Sequence, residues 1–211
     1  MNKTKIEWCD VTINPVVGCK NNCEYCYARK LNNRFKFIPD WNEPQFFPER
    51  LKQLESKKPR NIFVNSMSDI EHWEDDWCSN ILKAICNNPQ HNYIALTKSR
   101  TTLAAGQKNV FNGLSVDTQK QFDKNYDYCF DLLSIEPILE PINISSVRYL
   151  KQIIIGAETG NRKGKVIPKK EWIDSLCKQA DEYGIKVFMK DSLIPIVGEE
   201  NMRRELIEMD M

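Results

Sequence analysis

Three cysteines stand within eight residues of one another, in the run Gly18-Cys19-Lys20-Asn21-Asn22-Cys23-Glu24-Tyr25-Cys26. The spacing C-x3-C-x2-C lets three thiolates wrap one metal centre, and Gly18 allows a sharp backbone turn into the loop. A closed iron–sulfur cluster for electron transfer usually takes four protein thiolates. Three leave one iron without a protein ligand, much as a catalytic zinc site keeps one position for substrate. An open iron can take the amino and carboxylate groups of an amino-acid-like ligand. Two other chemistries draw on the same residues. Cys9 would complete a structural zinc site of four sulfurs, although such sites usually pair two C-x2-C arms and only one is present. Cys23 and Cys26 alone have thioredoxin-like spacing, which leaves Cys19 unexplained. Of the remaining cysteines, Cys78, Cys86 and Cys177 fall in amphipathic stretches, where a free thiol acts as a small hydrophobe, and Cys129 precedes a strand candidate.

The chain that must position these thiols has 211 residues and a mass of 24.7 kDa, with 30 Lys and Arg against 29 Asp and Glu. That length favours a single domain spanning residues 1–211. A net charge of +1 excludes a strongly basic nucleic-acid coat and an acidic tail protein. No apolar run approaches the ~20 residues needed to cross a bilayer, so no membrane association is expected. The first residues lack the apolar stretch of a secretory signal, which predicts a cytoplasmic setting with reduced thiols. The charge is uneven. Residues 1–60 carry twelve Lys and Arg against seven Asp and Glu, a net of +5, and the rest of the chain carries −4. The basic segment is also aromatic, with Trp8, Tyr25, Tyr27, Phe35, Phe37, Trp41, Phe46 and Phe47. It reads either as a surface for an anionic partner such as nucleic acid or as a solvated face over a buried aromatic cluster.

Short apolar runs alternate with amphipathic stretches. Strands are predicted at 61–65, 93–97, 110–115, 132–135, 152–155 and 186–189, with an earlier one at 11–17 interrupted by Pro15. Mostly apolar strands of this length fit a parallel sheet covered on both faces. Helices are predicted from Pro48, after the capping-box spacing Ser68 to Glu71, from Pro168 to a stop at Gly184, and from about Glu199 with Met202, Leu206 and Ile207. Residues 38–48 read as irregular loop, and His91 as a surface residue before a strand. The alternation implies an α/β fold, a partial or compact (β/α) barrel of about six or seven parallel strands, since a full barrel typically needs ~250 residues.

In such folds functional groups gather at the carboxyl ends of the strands. Ser66, Ser68 and Asp69 follow the second predicted strand, and Thr97, Lys98 and Arg100 the third. Ser115 and Asp117 follow the fourth, Glu136 the fifth, Glu158 the sixth and Lys190 the seventh. Several have plainer roles open to them. Ser68, Asp69 and Asp117 suit helix caps, and Lys190 and Asp191 suit a solvated pair.

C-x3-C-x-aromatic-C after the first strand of an α/β chain resembles the signature of the radical S-adenosylmethionine superfamily. A wider set resembles, within it, a phage-associated radical-SAM-like family of unknown function. That set comprises Ile6-Glu7-Trp8-Cys9-Asp10, Asn14-Pro15-Val16-Val17-Gly18-Cys19, Phe63-Val64-Asn65-Ser66-Met67-Ser68-Asp69, Leu96-Thr97-Lys98, Gly113-Leu114-Ser115-Val116, Ser134-Ile135-Glu136-Pro137, Gly156-Ala157-Glu158-Thr159-Gly160 and Phe188-Met189-Lys190. The match runs from about residue 5 to 192. It departs from the usual pattern at Cys9, where Thr is common, and at Ala157 and Thr159.

The resemblance implies that Cys19, Cys23 and Cys26 hold a [4Fe–4S] cluster whose fourth iron chelates S-adenosylmethionine. Reductive cleavage of that cofactor gives a 5′-deoxyadenosyl radical that abstracts hydrogen from a substrate. By the same analogy Tyr25 contacts the adenine and Ser68 and Asp69 hold the methionine amino group. Lys98 offsets the methionine carboxylate, and Ser115 and Asp117 reach the ribose or carboxylate. Glu136, Glu158 and Lys190 are candidates for substrate contact or proton donation. A one-electron donor such as flavodoxin or ferredoxin is implied, and nucleic acid or a nucleotide is the preferred substrate class. The alternative is a zinc- or cluster-binding module that binds nucleic acid or senses redox state without radical catalysis.

Overall fold

The computed structural model describes residues 2–104, 106–125, 127, 129–144, 147 and 149–207. Its strands are β1 (Asn2–Lys3), β2 (Val11–Thr12), β3 (Val16–Val17), β4 (Gln45–Phe46), β5 (Asn61–Phe63), β6 (Asn92–Thr97), β7 (Val110–Val116), β8 (Leu132–Ile135), β9 (Gln152–Ile155) and β10 (Lys186–Met189). Among the described residues there are five α-helices: α1 (Tyr27–Phe35), α2 (Asp75–Cys86), α3 (Gln119–Asn125), α4 (Lys170–Glu182) and, after the last strand, α5 (Ile194–Val197). The hydrogen-bonded order is β1-β2-β5-β6-β7-β8-β9-β10. Apart from the antiparallel β1 this is a seven-strand parallel series. Among the described residues its two ends do not pair, so the fold is α/β and an incomplete (β/α) barrel.

The chain divides into two compact units, and β7 contributes its first residues to one and the rest to the other. The first unit holds residues up to Thr97 together with Thr101–Asn112. Here β2 pairs in parallel with β5, and β5 with β6. The core gathers Val11, Ile13, Val16, Ile62, Val64, Tyr93 and Ala95 against Ile81 and Ile85 of α2. The expected strand at 11–17 is two short pieces. Pro15 offers a carbonyl but no N–H, and that carbonyl accepts from the Phe47 amide at 2.7 Å. Beyond it β3 leaves the main sheet and pairs antiparallel with β4, inside the segment read as loop. The helix from Pro48 is a 3-10 helix, Pro48–Glu55, with the proline in its first turn. Ser68 to Glu71 opens only a 3-10 turn, Ile70–His72, before α2. His91 is buried, not superficial, and its Nε2 lies 2.9 Å from the Leu54 carbonyl.

The second unit holds Lys98–Arg100 and the chain from Gly113. Strands β7 to β10 pair in parallel register, Ser115 opposite Ser134 and Ile155 opposite Met189. Every residue of β8 and β9 is buried, as strands covered on both faces require. Helix α4 lays Ile173, Leu176 and Ala180 against them. It ends at Gly184, φ +66°, where the Ile185 amide reaches back to Ala180 O at 2.8 Å and the Gly184 amide to Asp181 O at 3.2 Å. The expected helix from Glu199 does not form. One 3-10 turn, Glu199–Asn201, is followed by extended chain. The Met189 amide donates to Arg203 O and the Glu205 amide to Val187 O, so the tail pairs with the edge of β10. An open strand edge outcompetes a marginal helix because it satisfies backbone groups on both partners.

No helix among the described residues is long and apolar enough to cross a membrane. On α4, burial pushes the Cys177 thiol up from 9.0 to about 11, despite the nearby Arg203 charge. An unfolded chain would ionise this thiol first, so its contribution to stability is complete below pH 9 and is lost as pH rises to about 11. Cys78 is raised for the same reason and adds in the same direction. Denaturant titrations across this window are expected to show a shallower decline for Cys177→Ala than for the parent chain. Parallel declines would contradict the assignment.

Candidate functional site

The cysteine loop is fixed at its start by Gly18, which has φ +114°. A Cβ there would lie 2.8 Å from Pro44 Cα, 2.9 Å from Ile38 Cδ1 and 3.0 Å from Trp41 O. The Gly18 amide donates to Met67 O at 3.0 Å and the Cys19 amide to Trp41 O at 2.9 Å. The 38–44 segment and the turn after β5 therefore clamp the first cysteine from two directions. At the far end Cys26 is the N-cap of α1, its Sγ accepting from the Arg29 amide at 3.3 Å. The Arg29 guanidinium reaches back to Cys23 O at 2.7 Å and to Asn22 Oδ1. Cys19 and Cys26 pack against Val17, Ala28, Ile38 and Trp41.

Between the first two cysteines Asn21 ties the loop to a buried carboxylate. Its Nδ2 donates to Asp69 Oδ2 at 2.8 Å. Asp69 is 5% exposed, and its Oδ1 also accepts from Thr97 Oγ1 at 2.6 Å and from the Glu71 amide at 3.1 Å. With its amide nitrogen committed to Asp69, Asn21 must present its oxygen to His72 Nε2, 3.0 Å away. That ring nitrogen therefore carries a proton in this contact. Ser68 Oγ accepts from the Trp73 indole N–H at 3.0 Å, and Tyr27 donates to Ser66 O at 2.7 Å. Tyr25 lies between Cys23 and Cys26, partly buried.

Among the described residues, none of the eight cysteines is in a disulfide. Burial pushes Cys19 up to about 12, and charge on Asp69, Cys23 or Cys26 pushes it the same way, against the lowering effect of the Asn21 amide. Cys23 and Cys26 are thus close enough to Cys19 for their charge to oppose its ionisation. A cationic centre reverses that opposition, because the metal binds thiolate in place of a proton. Among the described residues no three His, Cys, Asp or Glu side chains converge as a single metal ion requires. A cubane cluster spreads its protein thiolates over separate irons, so three thiolates would serve three of its four irons. Cys9, the fourth sulfur of the zinc alternative, sits with its Sγ 4.0 Å from Ile6 O.

The remaining strand-end candidates lie in the second unit. Lys98 Nζ is 3.3 Å from Asp117 Oδ2 and 3.4 Å from Gln121 Oε1, and the Asp117 amide donates to that same oxygen at 3.1 Å. Ser115, partly buried on β7, faces its register partner Ser134 on β8. Glu136 and Lys190 form an ion pair at the ends of β8 and β10. Gly156, at the end of β9, lies beneath it, where a Cβ would come within 3.2 Å of both Glu136 Cγ and Lys190 Cδ. Glu158, 5% exposed, is gripped on both oxygens by Arg162 at 2.7 Å each. Asn21, His72, Arg29, Gly156 and Arg162 were not among the expected site residues. Only Arg162 carries a local signal, its i,i+4 spacing from Glu158.

Fold and site together define an α/β chain with an open three-cysteine loop after its first strands. A family model described as "Protein of unknown function (DUF5131)" matches residues 3–195, and the chain belongs to that family. Comparisons with curated proteins and with solved structures give no match.

Gly18→Ala is expected to lower unfolding stability by at least about 2 kcal/mol in urea titration, from the positive φ and from backbone atoms that cannot move aside. A loss below about 0.5 kcal/mol would show that the loop does not depend on this close approach.

Proposed function

We propose that this protein is a radical S-adenosylmethionine enzyme in which Cys19, Cys23 and Cys26 hold a [4Fe–4S] cluster. The observation that carries the reading is the C-x3-C-x-Tyr-C loop, with three thiols outside any disulfide and a backbone anchored at each end. When bound, such a cluster supplies one electron to S-adenosylmethionine, releasing methionine and a 5′-deoxyadenosyl radical that takes a hydrogen atom from the substrate. Everything else is positioning. Gly18 and Asn21 hold the first cysteine, and Arg29 and the α1 N-terminus hold the last two. Asp69 acts through Asn21, so its expected role toward the methionine amino group becomes one of shaping the loop. Ser68 acts likewise through Trp73. Tyr25 keeps its assignment to the adenine.

In the second unit Lys98, Asp117 and Ser115 supply a cation, a carboxylate and a hydroxyl suited to a zwitterionic cofactor with a ribose. Glu136 and Lys190 supply a paired acid and base for substrate, each neutralising the cost of burying the other. Glu158, held by Arg162, presents a fixed carboxylate. The source of the electron would be a small redox protein such as a flavodoxin or ferredoxin, in a cytoplasm that keeps the thiols reduced.

Anaerobic purification followed by iron, sulfide and zinc analysis tests the centre, with about four irons expected per chain and few in Cys23→Ser. Reduction in the presence of S-adenosylmethionine is expected to yield 5′-deoxyadenosine. Stoichiometric zinc without iron would replace the cluster with a structural site. Iron without 5′-deoxyadenosine would leave a redox module and remove the radical step.

A further inference from the structure

Helix α1 carries a surface that the cysteine chemistry does not use. Its inner side is Ala28 and Asn32, and Asn32 exchanges two hydrogen bonds with the Ile38 backbone, at 3.0 and 3.1 Å. One step round the helix Tyr27, Leu31 and Phe35 recur at four-residue spacing, and Phe37 follows the left-handed cap residue Lys36. These four side chains are 51%, 38%, 53% and 44% exposed. Single exposed apolar residues are ordinary, but a contiguous row of them marks a contact surface. The Phe35 and Phe37 ring centroids are 5.8 Å apart.

Cations are interleaved with the rings. Residues 27–37 contain four Lys and Arg and no Asp or Glu. Arg29 is engaged with Cys23 O, while Lys30, Arg34 and Lys36 are exposed. The Arg34 guanidinium lies 5.0 Å from the centroid of the Phe35 ring. Exposed aromatic faces set among cations are what a single strand of nucleic acid requires, bases stacking on rings while phosphates meet positive charge. A duplex hides its base faces and cannot use the rings. A folded protein partner typically needs some 20–30 residues a side, far more than one helix face and a turn supply.

We propose that Phe35, Phe37 and the cations Lys30, Arg34 and Lys36 form a docking surface for single-stranded nucleic acid. Cys26 caps the helix that carries this surface, and Lys30, its first named cation, lies four residues further on. The surface gives the cysteine centre a substrate class, and for that meaning it rests on the function proposed above.

Fluorescence anisotropy with a labelled single strand of about 15 nucleotides, titrated with the full chain purified anaerobically, tests the surface. Binding is expected to weaken as salt rises and to be tighter than for the same sequence as a duplex. The double variant F35A/F37A alters only exposed rings. It is expected to keep its circular dichroism and to lose at least about tenfold in affinity. In K30Q/R34Q the slope of log affinity on log salt is expected to shrink by about one to two. Absence of binding at low salt, equal affinity for the duplex, or an F35A/F37A chain that binds as the parent does would each overturn the proposal. Strand binding by a chain that holds zinc instead of iron would uphold this surface and remove the radical function. Cofactor cleavage without strand binding would do the reverse.

Discussion

The buried carboxylate of Asp69 is the constraint on which the first unit's cysteine loop depends. A charge removed from water is tolerated only where hydrogen bonds replace its hydration. Asp69 obtains them from three separate segments: Asn21 in the cysteine loop, Thr97 at the end of β6 and the Glu71 amide in the turn before α2. Satisfying the charge thus places the loop over the carboxyl ends of β5 and β6. Gly18 acts in the same sense from the other side, since only a residue without Cβ can pass between Ile38, Trp41 and Pro44 at φ +114°. A loop with three cysteines is thereby held mainly by backbone and side-chain contacts from Gly18, Asn21 and Asp69, with Cys26 Sγ adding the cap of α1.

The second unit solves a similar problem by pairing opposite charges. Its strands are largely buried, and the charged groups that follow their carboxyl ends meet partners: Lys98 with Asp117, Glu136 with Lys190, Glu158 with Arg162. Gly156 is the steric counterpart of Gly18. A side chain at its position would press within 3.2 Å of both members of the Glu136–Lys190 pair. Pairs of this kind place charge at strand ends without leaving a buried ion uncompensated.

The strands were legible in the sequence because parallel strands covered on both faces are continuous apolar runs, and 132–135 and 152–155 read as such. Helix α4 was legible for a different reason, its 3.6-residue pattern and its Gly184 stop being local. The departures share one cause. Pro15 marks an interruption, but not that β3 turns away to pair with β4. Met202, Leu206 and Ile207 fit a helix until the open edge of β10 is known. His91 looks superficial until its contact with the Leu54 carbonyl is seen. The same limit applies to the site. The three cysteines are adjacent and announce themselves, whereas Asn21–Asp69 and Glu136–Lys190 join residues 48 and 54 positions apart. No short-range pattern encodes such pairs.

The central claim is that the three-cysteine loop holds a cluster with one iron left for a small ligand. Electron paramagnetic resonance of the reduced, anaerobically purified protein tests it most directly, recorded with and without S-adenosylmethionine. A cluster with an iron lacking a protein ligand is predicted to show a [4Fe–4S]⁺ signal whose g values shift when the cofactor is added, because the cofactor changes that iron's coordination. A signal that does not move on addition, or the absence of any cluster signal from a chain loaded with zinc, would contradict the account.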